Sequence, residues 1–168
     1  MTTCIWDGQS TLYADTLSVG GHMNNKINKI KVINDYQTII LSGLTKHAYL
    51  LYRLLLKNGL WNLDNIALDT YDVKEENVSF QALLVNKTSC DSVQLYHFEN
   101  TIKNFYEIPN QVVAIGSGTQ YAMGAIGAGV TFAEAMHIAA RYDENTGREF
   151  ETYNVFTKES SVISPVYK

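Results

Sequence analysis

Met1-Thr-Thr-Cys-Ile-Trp-Asp-Gly-Gln-Ser-Thr-Leu-Tyr-Ala-Asp15 opens the chain, and the rest is organised around it. Two short apolar arms, Thr3 to Trp6 and Thr11 to Ala14, flank the polar turn Asp7-Gly8-Gln9-Ser10. An Asp-Gly pair between two such arms is a strong short-range hairpin signal. Thr2 stands one residue behind the initiator. If Met1 is removed, Thr2 carries both a hydroxyl and a free α-amine, and an amine of pKa about 8 can take the hydroxyl proton at neutral pH. Taken alone, a threonine there is usually only a threonine. The residues downstream give it weight.

Beyond the hairpin, the segment from Thr16 to Asn25 carries Gly20-Gly21 and Asn24-Asn25 and reads as a turn-rich connection. Lys26 to Asn34 reads as a strand and Gln37 to Ser42 as another. Ser42-Gly43-Leu44-Thr45 then leads into a helix from His47 to Lys57. Its Leu50, Leu51, Leu54 and Leu55 recur at helical spacing, and Gly59 stops it. Between Leu60 and Asn77 a short helix near Leu63 to Leu68 and an acidic loop are expected. Ser79 to Val85 and Ser92 to Phe98 form a second hairpin-like pair. Gln111 to Ile115 reads as a strand, followed by helices from Gln120 to Ala128 and from Phe132 to Tyr142. Thr131 and Glu134 supply a capping box for the latter. A last strand is expected over Thr152 to Thr157. Runs of strands and helices, without strict alternation, indicate an α+β fold with helices layered on mostly antiparallel sheet.

At 168 residues the chain suits a single domain spanning residues 1–168. A hydrophobic fraction of 46% with 18% charged residues describes a folded globular chain rather than a disordered one. The net charge of −4, without a Lys/Arg cluster, gives no footprint for nucleic acid. Two cysteines, Cys4 and Cys90, argue against a disulfide framework and for a reducing compartment. No apolar run has the length of a membrane span, and no basic segment with an apolar core opens the chain. The expected location is the cytoplasm, of a cell or of an infected one.

In order, Thr2-Thr3, Ala14-Asp15, Lys29-Ile-Lys-Val-Ile-Asn-Asp-Tyr36, Ser42-Gly43, Ile115-Gly-Ser-Gly-Thr-Gln-Tyr-Ala122 and Asp143-Glu-Asn-Thr146-Gly147 resemble the proteasome β-subunits and the bacterial threonine peptidase of the HslV type. Each motif is weak by itself; their common order and spacing carry the resemblance, which covers almost the whole chain. It implies an N-terminal nucleophile hydrolase fold, a four-layer αββα sandwich of two mainly antiparallel sheets flanked by helices. It implies Thr2 as the nucleophile, with Lys29 beside its hydroxyl and Asp15 pairing with that lysine. Gly43 would supply an oxyanion-binding amide, and Ser117, Asp143 and Thr146 would support the terminal amine. Thr146 stands where the family has a serine. Ile27, Lys31, Leu41 and Thr45 fall where the family lines its first specificity pocket. The resemblance further implies unfolded polypeptide substrates, self-assembly into closed rings and an ATP-dependent unfoldase as partner, with no cofactor.

Two other readings find little support in the sequence. Gly116-Ser-Gly-Thr-Gln-Tyr121 is similar to a dinucleotide fingerprint but lacks the third glycine and a βαβ context. His22, His47, His97 and His137 show no metal-ligand spacing. The stronger rival is a catalytically silent ring or scaffold protein of the same fold. Processing of Met1 separates the two.

Overall fold

The structure, a computed structural model, describes residues 2–20, 23–43, 45–71 and 79–164. The acidic loop expected before Asn77 and His22 lie outside the described residues. The chain divides into two compact units: Met1–Ile30 with Asn110–Lys168, and Lys31–Pro109.

The first unit begins with the expected hairpin, β1 (Thr3–Asp7) and β2 (Thr11–Asp15). Its turn is held by one oxygen of Asp7, which accepts the N–H groups of Gln9, Ser10 and Thr11 at 2.8, 2.8 and 3.0 Å. Gly8 takes a φ of 80°, a conformation that side-chain-bearing residues rarely adopt. Leu17–Gly20 (β3) and Met23–Lys26 (β4) pair as a two-stranded ribbon. Near the other end of the chain come β10 (Val112–Gly116), helices α2 (Thr119–Gly127) and α3 (Phe132–Tyr142), and strands β11 (Phe150–Asn154) and β12 (Ser160–Ile163). The sheet order is β10-β1-β2-β11-β12, antiparallel throughout. Ile5 and Phe150 pack with Ala122, Ala135, Met136 and Ala139 of the two helices. The Thr131–Glu134 capping box forms as expected.

One sheet runs in the order β5 (Ile30–Val32), β6 (Gln37–Gly43), β7 (Phe80–Lys87), β8 (Val93–Glu99) and β9 (Tyr106–Ile108); all of it but Ile30, the first residue of β5, belongs to the second unit. Helix α1 (Thr45–Asn58) buries Ala48, Leu50, Leu51, Leu54 and Leu55 in a core with Ile39, Leu41, Phe80, Leu84 and Phe98. Gly59 ends the helix, its N–H donating to the Leu55 carbonyl at 3.0 Å. The following segment forms two 3-10 turns, Leu60–Asn65 and Leu68–Tyr71, in place of the expected short helix.

The α+β, four-layer αββα sandwich is corrected by this arrangement. The described chain is mainly β, with antiparallel sheets and three α-helices divided between two units. The physical reason is that segments of three or four residues, too short to carry a strand signal of their own, nevertheless pair. Leu17–Gly20 with Met23–Lys26, Tyr106–Ile108, and Ser160–Ile163 all become strands through neighbours that local pattern does not reveal. Within the expected strand from Lys26 to Asn34 only Ile30–Val32 pairs beyond β4, and residues 27–29 are irregular.

Candidate active site

The first unit gathers polar groups at one end of its sheet. Thr2 precedes β1, Asp15 ends β2 and Lys29 follows β4; they are 1%, 0% and 5% exposed. The Lys29 ammonium donates to the Thr2 hydroxyl oxygen and also to Asp15 Oδ2, the latter at 2.9 Å. An ammonium has donors only, so Thr2 Oγ1 is the acceptor and its own proton points elsewhere.

Asp15 is held by donors alone. Besides Lys29, its carboxylate accepts the N–H groups of Thr3 at 2.9 Å, Gly147 at 2.9 Å and Leu17 at 3.1 Å. Burial pushes its carboxyl above the ordinary 3.8, while the Lys29 charge and the hydrogen bonds from Gly147, Lys29 and Thr3 pull it back. Gly147 is a steric requirement of this cradle. A Cβ there would stand 2.7 Å from Leu17 Cβ and 3.1 Å from Asp15 Oδ2.

A second chain of hydrogen bonds starts at Thr3. Thr146 Oγ1 donates to Asp143 Oδ2 at 2.6 Å, and Ser117 Oγ donates to the same oxygen at 2.5 Å. With its one proton so committed, Thr146 must accept from Thr3 Oγ1, 2.6 Å away. Burial raises the Asp143 carboxyl, but donation from Ser117, Thr146 and Asn145 outweighs it and holds the group below 3.8. Gly118 lets the strand and loop meet: a Cβ there would lie 2.0 Å from Thr3 Oγ1 and 2.8 Å from Thr146 Oγ1.

The six residues Thr2, Asp15, Lys29, Ser117, Asp143 and Thr146 therefore belong to one connected network, with Thr3 as the joint. Thr3 stands in the Thr2-Thr3 motif, where the sequence alone gives it no role. Glu151 on β11 belongs to none of the motifs. Its Oε1 accepts the N–H groups of Lys29 at 2.6 Å and Ile30 at 2.9 Å. Only the alternation of a short terminal strand marks it in the sequence. Beneath the centre lies Cys4. Burial pushes its thiol far up, opposed by Lys29 and reinforced by Asp15 and Glu151, so it is a neutral thiol rather than a nucleophile.

Ile27 also lies in the first unit, half-buried, and its N–H donates to the Thr16 carbonyl at 2.8 Å. Gly43, Lys31, Leu41 and Thr45 belong to the second unit. Gly43 has a φ of 101°, and a Cβ would approach Phe80 Cα to 2.6 Å, so only glycine fits. Lys31 sits over the Tyr49 ring at 5.2 Å. Leu41 is in the apolar core, and Thr45 opens α1, exposed. His47 Nδ1 accepts the Ser79 N–H at 3.2 Å, and His97 Nδ1 lies 2.6 Å from the Tyr106 hydroxyl. His137 packs edge-on to Phe150. Among the described residues no group of three or more His, Cys, Asp or Glu side chains is arranged to hold a metal. Among them, too, no helix is long and apolar enough to cross a membrane.

Neither the protein-family models nor the curated proteins match this chain.

Proposed function

We propose that this chain is a threonine peptidase whose nucleophile is Thr2, exposed as an N-terminal residue by removal of Met1. The observation that carries the reading is the buried Lys29 ammonium, which donates at once to the Thr2 hydroxyl oxygen and to Asp15. A cation at that oxygen stabilises developing negative charge, and it does so strongly because water is excluded. The free α-amine of Thr2 then takes the hydroxyl proton. The oxygen attacks a peptide carbonyl carbon, the C–N bond breaks, and the leaving amine receives the proton. A water molecule, deprotonated by the same amine, hydrolyses the ester and restores Thr2. Asp15 keeps the Lys29 head in place, while Ser117, Asp143 and Thr146 steady the strand start through Thr3.

The substrate class is unfolded polypeptide, and the setting is the cytoplasm. Closed rings formed by self-association, with an ATP-dependent unfoldase feeding them, follow from the same resemblance; light scattering at micromolar concentration tests the ring. A monomer under several salt conditions would remove that part.

A second reading is a silent ring or scaffold protein. The same burial favours it when Met1 is retained, because the Thr2 nitrogen is then an amide with no basic lone pair. The deciding experiment uses protein whose N-terminus is verified as Thr2 by intact mass. Turnover of short fluorogenic peptides is expected from this protein, near-complete loss in Thr2→Ala, and partial activity in Thr2→Ser, which keeps a hydroxyl and an amine. Full activity in Thr2→Ala would place the nucleophile elsewhere. No turnover by verified protein, with or without an unfoldase, would leave the scaffold reading.

A further inference from the structure

Lys29 lies in the irregular stretch 27–29, between a ribbon strand and β5. A strand ladder would position such a lysine through its own backbone hydrogen bonds; here the Ile27 N–H is held by the Thr16 carbonyl, but the Lys29 N–H is taken by a side chain. Glu151 Oε1 accepts the N–H of Lys29 at 2.6 Å and that of Ile30 at 2.9 Å, across 122 and 121 residues of sequence. Both donors converge on one carboxylate oxygen, and hydrogen bonds to an ionised acceptor are stronger than those between neutral groups.

The register of the sheet explains why Glu151 is available. On β11 it stands opposite Ala14, its neighbour Phe150 stands opposite Asp15, and on the far side Ala14 stands opposite Cys4. Cys4, Ala14 and Glu151 thus form a row across three strands, one step from the Asp15 position. The two carboxylates that grip Lys29 are set by the same β2–β11 pairing: Asp15 takes the ammonium, and Glu151 takes the backbone.

We propose that Glu151 is a positioning residue of the Thr2 centre, fixing the Lys29 backbone so that its ammonium meets the Thr2 hydroxyl. This rests on the peptidase reading for its consequence in turnover, but not for its geometry. A slip in the 27–30 backbone moves the ammonium away from Thr2 Oγ1, and loosens its pairing with Asp15, while the nucleophile and the amine stay in place. The effect therefore falls on the chemical step and not on peptide binding.

The test compares Glu151→Ala and Glu151→Gln with the parent, each verified to begin at Thr2. Two kinds of measurement are made: peptide kcat and KM by turnover, and by NMR the lysine side-chain signals with hydrogen exchange at the Lys29 and Ile30 amides. In Glu151→Ala, kcat is expected to fall about 100-fold, the order of loss that an ångström of misplacement can produce, with KM changed less than about threefold. The Lys29 side-chain signal should move to the position of exposed lysines, and exchange should accelerate at Lys29 and Ile30 while the β1–β2 amides stay protected. Glu151→Gln keeps an oxygen at the same place and should recover most of the lost kcat and the Lys29 signal. An unchanged Lys29 signal in Glu151→Ala overturns the proposal, as does accelerated exchange throughout the β2–β11–β12 ladder, which marks a merely structural role. If the parent hydrolyses nothing yet Glu151→Ala still displaces the Lys29 signal, the positioning stands and the peptidase reading fails.

Discussion

The second unit buries Ile39, Leu41, Leu51, Leu54, Phe80, Leu84 and Phe98 under α1, and the buried titratable groups among its described residues are both neutral and hydrogen-bonded: His47, which accepts the Ser79 N–H, and Tyr96, whose hydroxyl donates to Gln94. The first unit, with a five-stranded antiparallel sheet of its own, buries Thr2, Thr3, Asp15, Lys29, Asp143 and Thr146 beside its apolar core. Desolvating charges is costly, and an apolar set of similar volume would stabilise the sheet end at least as well. Folding alone therefore accounts for the second unit's interior and leaves the first unit's polar centre unexplained. A chemical role for that centre is the account proposed here.

Removing the cation is expected to give the largest effect. Lys29→Ala should abolish nearly all peptide turnover, and by leaving Asp15 buried without its partner should also destabilise the fold by about 3–5 kcal/mol. The matching cut in the second unit is Leu54→Ala, which opens a cavity at a position 1% exposed. It should cost about 2–5 kcal/mol in denaturant unfolding, while the molecules that remain folded keep full specific activity. Equal loss of specific activity in both would erase the contrast between the units.

Next in size is Gly118→Ala, whose methyl would collide with Thr3 Oγ1. Overpacking of this kind costs about 1–3 kcal/mol, and separating Thr3 from Thr146 should lower activity as well. Thr146→Ser, which keeps the hydroxyl, should leave the activity of folded molecules nearly intact. A Gly118→Ala protein with normal stability and activity would remove Thr3 from its role as the joint.

The smallest effects are those of pH, and here the two carboxylates of the first unit diverge. Asp15, pushed above 3.8 by burial, takes up its proton while exposed aspartates are still ionised, so the acid limb of kcat/KM should lie above pH 3.8. Asp143 is held below 3.8, so its contribution to stability is complete above that value and is lost as pH falls through its lower folded value. Activity should thus fail before the Ser117–Asp143–Thr146 cluster does. Amide exchange at Asn145 and Thr146, followed down a pH series beside turnover, separates the two events. Their simultaneous loss would mean that one transition governs both.

Much of the fold near local signals was legible. Asp7-Gly8 announced the opening hairpin, the leucines of α1 its buried face, and Thr131 with Glu134 the start of α3; each is decided within a few residues of chain. The β3–β4 ribbon was not legible, because Gly20-Gly21 and Asn24-Asn25 look like loop and its strands are only four residues each. The layered sandwich failed for the same kind of reason: short segments such as Tyr106–Ile108 and Ser160–Ile163 become strands only when β8 and β11 are present to pair them. At the candidate site, motif order singles out Thr2, Asp15 and Lys29, which the structure brings into hydrogen-bond contact. Thr3 and Glu151 were missed because their partners are distant: Thr146 lies 143 residues from Thr3, and Lys29 lies 122 from Glu151. Gly118 and Gly147 read as ordinary turn glycines until the hydroxyl and carboxylate packed against them are in view.

The central claim is that the Thr2 hydroxyl is a nucleophile activated by Lys29. Its most direct measurement is covalent capture. Protein verified to begin at Thr2 is incubated with an activated ester of a short peptide and analysed by intact mass and peptide mapping. A single acyl group on Thr2 is predicted, with the adduct greatly reduced in Lys29→Ala and absent in Thr2→Ala. Acylation at another residue, or none under conditions that leave the chain folded, would contradict it.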